Sequence, residues 1–289
     1  MEKTKRRRWW IPLIIISALL LTMAVLLIDS NTRIVTTEYE LFYDDLPDAF
    51  DGFRIVLLAD IHVTEFGNDN ERLIRRVRDA QPDIIAIAGD LLCAYGRMPT
   101  DRQLEIAGTL AHGLVQIAPV YFVTGNHEWD RRVGGPWALF EMFDELGVTV
   151  LRNQHVLLER DGDSIIFAGA DDPHGPADMI TPRELVEQIF TREGEDSFII
   201  MLEHRNSNLQ LYSELGVRLV LCGHAHGGIV RLPFTEGLIG PQREWFPTYT
   251  GGVYTRGDTN MVVSRGLGRS IGLRFLNNPQ IVVVTLRVG

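Results

Sequence analysis

From Trp9 to Ile28 the chain reads WWIPLIIISALLLTMAVLLI, a run without a single charged side chain. In hydrocarbon a backbone must satisfy its own hydrogen bonds, and a helix rising about 1.5 Å per residue over this run spans about 30 Å. The run therefore predicts a membrane-spanning helix over 9–28. Its leading tryptophans suit the interface, and Pro12 falls in the first turn, where a missing N–H matters least. The competing reading, a cleaved signal peptide, calls for a shorter apolar region ending in a small-residue cleavage site, which the sequence does not offer.

Charge is distributed unevenly about this run. Lys3, Lys5, Arg6, Arg7 and Arg8 precede it, whereas Asp29, Glu38, Glu40, Asp44, Asp45 and Asp48 follow within a short distance. By the positive-inside rule, residues 1–8 form a basic cytoplasmic tail, and the rest lies on the extracytoplasmic side of a cell membrane that it crosses once. Without that tail the chain holds 23 basic and 37 acidic residues, a net of −14. A body this acidic repels polyphosphate backbones, so no nucleic-acid partner is expected, and a phosphate substrate would have to be met by local cations. Two cysteines, Cys93 and Cys222, are too few for a disulfide framework.

Beyond a linker and entry to the fold at 29–51, residues 52–289 read as one α/β domain in which apolar runs alternate with amphipathic segments. FRIVLLAD, DIIAIAGD and VYFVT predict buried strands at 53–60, 83–90 and 120–124. Helices are expected over 70–79, 100–112 and 136–146, the last closed by Gly147, and from Thr181, where a capping box combines with Pro182. A hairpin about Asp161-Gly162-Asp163, strands at 197–202 and 217–222, and the tail IVVVTLRV complete the pattern.

Polar residues collect where these strands end. Asp60-Ile61-His62, Gly89-Asp90, Gly125-Asn126-His127-Glu128, His204 and Gly223-His224-Ala225-His226 each follow an apolar run. Ligands of open α/β sheets bind at that edge. Taken singly, each has an ordinary structural explanation; together they supply Asp, His and Asn donors with no cysteine, a set suited to divalent Mn, Fe or Zn. Two such ions roughly 3.5–4 Å apart can clamp a phosphoryl group and activate a bridging water for in-line attack.

This ordered set resembles the calcineurin-like metallophosphoesterase family, over about 170 residues. The resemblance implies a four-layer α/β/β/α sandwich with two divalent metal ions, manganese favoured. It implies that Asp60, His62, Asp90 and His226 hold one ion, and Asp90, Asn126, His204 and His224 the other. Asp90 would bridge them, and His127 would act in catalysis without ligating. The flanks, including Gly227-Gly228, Arg231-Leu232-Pro233 and Ser264-Arg265-Gly266-Leu267-Gly268, are similar to those of membrane-anchored bacterial phosphodiesterases and of UDP-2,3-diacylglucosamine hydrolases. Ala225, Ile229 and the His204-Arg205-Asn206-Ser207 stretch depart from that pattern. The expected activity is hydrolysis of phosphodiester or pyrophosphate bonds in lipid or envelope material by a metal-bridging hydroxide. One alternative is the UDP-2,3-diacylglucosamine pyrophosphatase of lipid A synthesis, and an alternative of another class is a non-catalytic metal-binding scaffold. Trp245, Phe246 and Tyr249 form an aromatic cluster that reads first as core and second as a surface for acyl chains or a bilayer.

Overall fold

The computed structural model describes residues 10–95, 98–232, 235–241, 243–268 and 272–289. The basic tail 1–8, Trp9 and Pro233 lie outside the described residues. The first helix, α1, runs Trp10–Thr32, longer than 9–28, and is long and apolar enough to cross a membrane.

The expected linker is instead structured. Its strand β1, Val35–Tyr43, pairs in parallel with β12, Gln280–Val288, over nine residues. Glu38, Glu40 and Phe42 face outward along β1 while Leu41 and Tyr43 are buried, so an edge strand with one acidic face resembles a polar linker in sequence.

Two six-stranded sheets form the domain. The first has the order β1-β12-β2-β3-β4-β5, with β2 Arg54–Leu58, β3 Ile84–Ala88, β4 Val120–Val123 and β5 Thr149–Val150. The second has the order β10-β11-β9-β8-β7-β6. Its hairpin is β6 Gln154–Arg160 and β7 Asp163–Gly169, followed by β8 Ile199–Leu202, β9 Leu219–Cys222, β10 Gly252–Arg256 and β11 Thr259–Val263.

The period-two alternation of side chains explains the layering. In β2, Ile55 and Leu57 enter the core between the sheets, where they join Phe167, Ile200, Leu221 and Val284. Val56 and Leu58 point the other way, into a core shared with Leu73 and Val77 of α2 (Glu71–Asp79), Leu110 and Leu114 of α3 (Thr100–Val115) and Phe143 of α4 (Trp137–Leu146). The second sheet's outer face is covered by α5 (Pro182–Glu193) and α6 (Leu209–Glu214), through Val186, Ile189 and Tyr212. Both faces of both sheets are covered, giving an α/β/β/α sandwich whose central strands are apolar throughout. The capping box at Thr181 forms as expected: its hydroxyl accepts from Glu184 N at 3.2 Å, and Glu184 accepts from Thr181 N at 2.7 Å.

Three adjacent parallel strands, β2, β3 and β4, and two more, β8 and β9, end on the same side of the sandwich. The five polar motifs lie in the loops leaving those ends.

Candidate metal centre

The loops curl sharply to bring their side chains together. Asp60, His62, Asp90, His224 and His226 have φ between 47° and 67°, in the left-handed region that costs an L-residue about 1–2 kcal/mol. Gly89 (φ 72°) and Gly125 abut one another across these loops: a Cβ on Gly89 would overlap the Gly125 backbone, and one on Gly125 would overlap the Asp90 carboxylate. Glycine is needed at both for the β3 and β4 loops to approach.

Glu128 holds these loops in place from beneath. Its Oε2 accepts from Asp90 N at 2.9 Å and Gly125 N at 2.7 Å, and its Oε1 accepts from Leu92 N at 2.9 Å. The residue contributes positioning, through these three hydrogen bonds to main-chain N–H groups of the donor-bearing turns. Burial, with the nearby Asp90 charge, pushes its carboxyl up to about 7.

Two groups of donor atoms result, each with its atoms within 4.8 Å of one another: Asp60, His62, Asp90 and His226, and Asp90, His204 and His224. Asp90 is common to both. Asn126 joins the second group, its Oδ1 lying 3.3 Å from His204 Nε2. All seven residues expected as ligands are thus gathered in one place.

Hydrogen bonding fixes what each ring offers. His62 Nδ1 faces the Leu92 carbonyl at 3.1 Å, and His204 Nδ1 faces the Ala88 carbonyl at 2.8 Å. A carbonyl only accepts, so in both rings Nδ1 carries a proton and the neutral form turns an Nε2 lone pair into the cluster. Around His204 Nε2 lie Asp90 Oδ2 at 3.3 Å, Asn126 Oδ1 at 3.3 Å and His224 Nδ1 at 3.0 Å. His62 Nε2 lies 3.2 Å from His226 Nε2 and 3.8 Å from Asp90 Oδ2, and His226 Nε2 is 3.5 Å from Asp60 Oδ1. Convergent lone pairs in buried surroundings are the arrangement a cation completes, and the donor set fits two divalent ions.

Protonation of the cluster leads to the same conclusion. Burial works against a charge on His204, but Asp90, by its charge and its hydrogen bond, together with Asp60 and Asp172, lifts that ring to about 10. The carboxylates thus favour positive charge at His204 Nε2. Burial raises Asp60 to about 7 and lowers His62 and His224 to about 3, while Asp90 is held well below the usual carboxylate range because His204, His62 and His127 outweigh its burial.

His127 is turned the other way. Its Nδ1 accepts the Ala94 N–H at 2.9 Å, so the neutral ring carries its proton on Nε2, which lies 3.8 Å from Asp90 Oδ2. A protonated nitrogen turned toward the cluster offers a hydrogen-bond donor and no lone pair for a metal. Cys93 forms a third trio with His62 and His127, but the main chain flanking it already engages Nδ1 of both rings.

Sequence reasoning missed Arg205, which follows His204 directly. Its guanidinium pairs with Asp172 at 2.6 Å and donates to His224 Nε2 at 3.1 Å. The signal was a cation immediately after a donor histidine, noticed only as a departure from pattern. A cavity of about 520 Å³ opens beside it, lined by Asp172, Pro173, His174, Met179, Ile180 and Leu211 among others. The core reading of the aromatic cluster holds for Tyr249, which packs against the core beside the second sheet, and is corrected for Trp245 and Phe246, which are 70% and 71% exposed.

The calcineurin-like phosphoesterase family model matches residues 53–228. Over 258 residues the chain is 31% identical to the uncharacterized metallophosphoesterase YkuE of Bacillus subtilis, covering 88% of this chain and 86% of that protein. It is 25% identical to the phosphodiesterase YaeI of Escherichia coli, covering 81% and 82%. A transmembrane protein with metallophosphoesterase domain from Danio rerio is 29% identical, covering 86% of this chain and 56% of that protein. With its strand-end donors, its shared aspartate and this match over most of the domain, the chain belongs to the calcineurin-like phosphoesterase family and is a hydrolase.

Proposed function

We propose that the protein is a membrane-anchored phosphodiesterase working with two divalent ions, held by Asp60, His62, Asp90 and His226 on one side and Asp90, Asn126, His204 and His224 on the other. The observation that carries this reading is the sharing of Asp90 between two donor groups. When bound, the ions would clamp phosphoryl oxygens and make water a nucleophile at neutral pH.

The chain's own residues do the rest. The Leu92 and Ala88 carbonyls hold His62 and His204 in the ligating tautomer. Glu128 sets the spacing between the Asp90 and Asn126 loops. His127 aims its Nε2–H at the charge that grows on the leaving oxygen, with Ala94 N–H fixing the ring. The cavity beside Arg205 has room for the organic part of an ester, its apolar wall formed by Pro173, Met179, Ile180 and Leu211. The E. coli relative's name supports a diester, and the helix Trp10–Thr32 supports a lipid or envelope substrate, met outside the cytoplasmic membrane at high effective concentration.

The test uses purified full-length protein in detergent, stripped of metal and reloaded with Mn, Fe or Zn. It is assayed against aryl phosphodiesters, aryl phosphomonoesters and lipid pyrophosphates, with bound metal counted by elemental analysis. Diester turnover that rises with the second equivalent of metal supports the proposal; full turnover with one ion or none overturns it.

A further inference from the structure

The end of α1 does not lead into a free tether. Asn31 Nδ2 donates to the Arg274 carbonyl at 2.8 Å and Asn31 Oδ1 accepts from Arg274 N at 3.0 Å. Ser30 Oγ accepts from Leu276 N at 2.9 Å, and Asn278 Nδ2 donates to the Asp29 carbonyl at 2.8 Å. The segment 274–278 is thereby fastened to the last turn of the helix. Ile28 is the last apolar residue before that turn, and Asn31 lies about 4.5 Å further along the axis. If α1 spans a bilayer, as proposed above, this segment sits at the headgroup boundary.

A ladder of short backbone pairings extends the segment sideways. Val230 pairs with Phe275, Arg231 with Gly237 and Ile239 with Trp245. Leu238 N donates to the Val230 carbonyl and Phe246 N to the Leu238 carbonyl, each at 2.9 Å. Backbone hydrogen bonds and bridges thus link the helix end, through 274–276, 229–231 and 237–239, to Trp245 and Phe246. Along it Trp245, Phe246, Leu273 and Leu232 are 70%, 71%, 60% and 43% exposed. Four large apolar side chains exposed along one hydrogen-bonded ladder leave apolar surface in water, and tryptophan and phenylalanine are suited to the interfacial zone.

We propose that this shelf lies on the lipid headgroup layer, with Trp245, Phe246, Leu232 and Leu273 inserted in the leaflet that α1 enters. The continuous hydrogen bonding from the helix end to the shelf selects the bilayer over a protein partner as the occupant. Adjacent side chains extend the consequence to the metal centre: Asn278 bonds to Asp29 of α1, while Asn277 Nδ2 donates to the His226 carbonyl at 2.7 Å. The donor cluster is held directly above the membrane, which matches it to phosphate esters carried on lipids.

The test places the full chain in vesicles of phosphatidylcholine with or without bromines near the top of the acyl chains. The emission of Trp245 is isolated by subtracting the Trp245→Phe variant, and that of the anchor by subtracting the variant with Trp9 and Trp10 both replaced by Phe. The expected result is at least a twofold loss of Trp245 emission in the brominated lipid, with aryl phosphodiester turnover of Trp245→Phe at the wild-type level. Quenching of the anchor tryptophans without quenching of Trp245 overturns the docking surface and leaves the anchor standing. Shielding of Trp245 from aqueous acrylamide without bromine quenching assigns the shelf to a second copy of the chain and equally overturns it. An unquenched anchor removes the membrane reading and the shelf with it, while the metal dependence of turnover is read separately in the same samples.

Discussion

Replacing His127 by Ala separates catalysis from metal binding more sharply than any other change in the cluster. The ring is buried, and Ala94 N–H occupies its Nδ1 at 2.9 Å, which leaves Nε2–H as the only group it presents to the site. Nε2 lies 3.8 Å from Asp90 Oδ2, outside hydrogen-bonding distance, so the donor is not consumed by the carboxylate and remains available to a substrate oxygen. Loss of one donor aimed at developing charge costs about 10²–10³ in kcat, or about 2.7–4 kcal/mol. The effect should depend on the leaving group. Oxygens that leave as stable phenolates need little help, so a nitrophenyl diester should lose the least and an alkyl diester the most. Orphaning the buried Ala94 N–H should in addition lower stability by about 1–3 kcal/mol, which a thermal melt would register independently of turnover. The assay measures kcat across a series of diesters of rising leaving-group pKa, with metal content determined on the same preparations. An equal loss of metal and activity, or the same fold-loss across the whole series, would refute the donor role.

Three further outcomes follow from the geometry. Asp90→Asn should reduce bound metal from two ions to at most one and lower turnover by roughly 10³, since metal charge stabilisation amounts to several kcal/mol; two retained ions with turnover within tenfold would contradict a shared ligand. Metal uptake at pH 8 should release close to one proton, because His204, held at about 10, is still protonated there whereas Asp60, near 7, is largely ionised; affinity should weaken as the pH falls, and calorimetry in two buffers of different ionisation enthalpy reads the proton directly. Gly89→Ala should cost about 1–2 kcal/mol from its left-handed conformation alone, and its overlap with Gly125 should part the Asp90 and Asn126 loops, seen as a melting point lower by about 4 °C or more and weaker binding of the second ion.

Residue order made the centre legible because its chemistry is local: each donor lies within a few residues of the end of an apolar strand, and the run of apolar residues is itself the strand signal. Asp60 after β2 and Asp90 after β3 could be placed without knowing how the sheets stack. What the chain concealed was long-range. β1 is an edge strand whose acidic outer face imitates a linker, and only its parallel pairing with β12, some 245 residues later, reveals it. Likewise β10 (GVYTR) and β11 (TNMVV) are short and mix polar with apolar residues without a two-residue period, so neither stands out until β9 is set beside β11. Arg205 gave no periodic signal, and its importance lies in meeting Asp172 and His224 across the cluster.

The exposed aromatics show where a polarity pattern misplaces residues. Trp245 and Phe246 are as apolar as Phe167 or Phe122, and in water burial would be their favoured state. Their segment carries Arg243 and Glu244, is bounded by Gly240 and Gly251, and is tied to its neighbours by the isolated Ile239–Trp245 bridge. The three cores are filled from strands, helices and their connecting loops, and of this segment Tyr249 packs against one of them while Trp245 and Phe246 stay outside. On the proposed docking, an apolar side chain excluded from the cores but fastened through a hydrogen-bonded ladder to the end of an apolar helix finds its low-energy environment in the lipid around that helix. On the proposed bilayer docking the helix and the shelf share one requirement, and the Asn277–His226 hydrogen bond extends it to the donor cluster: the depth at which α1 stops would fix the height at which the site meets its ester.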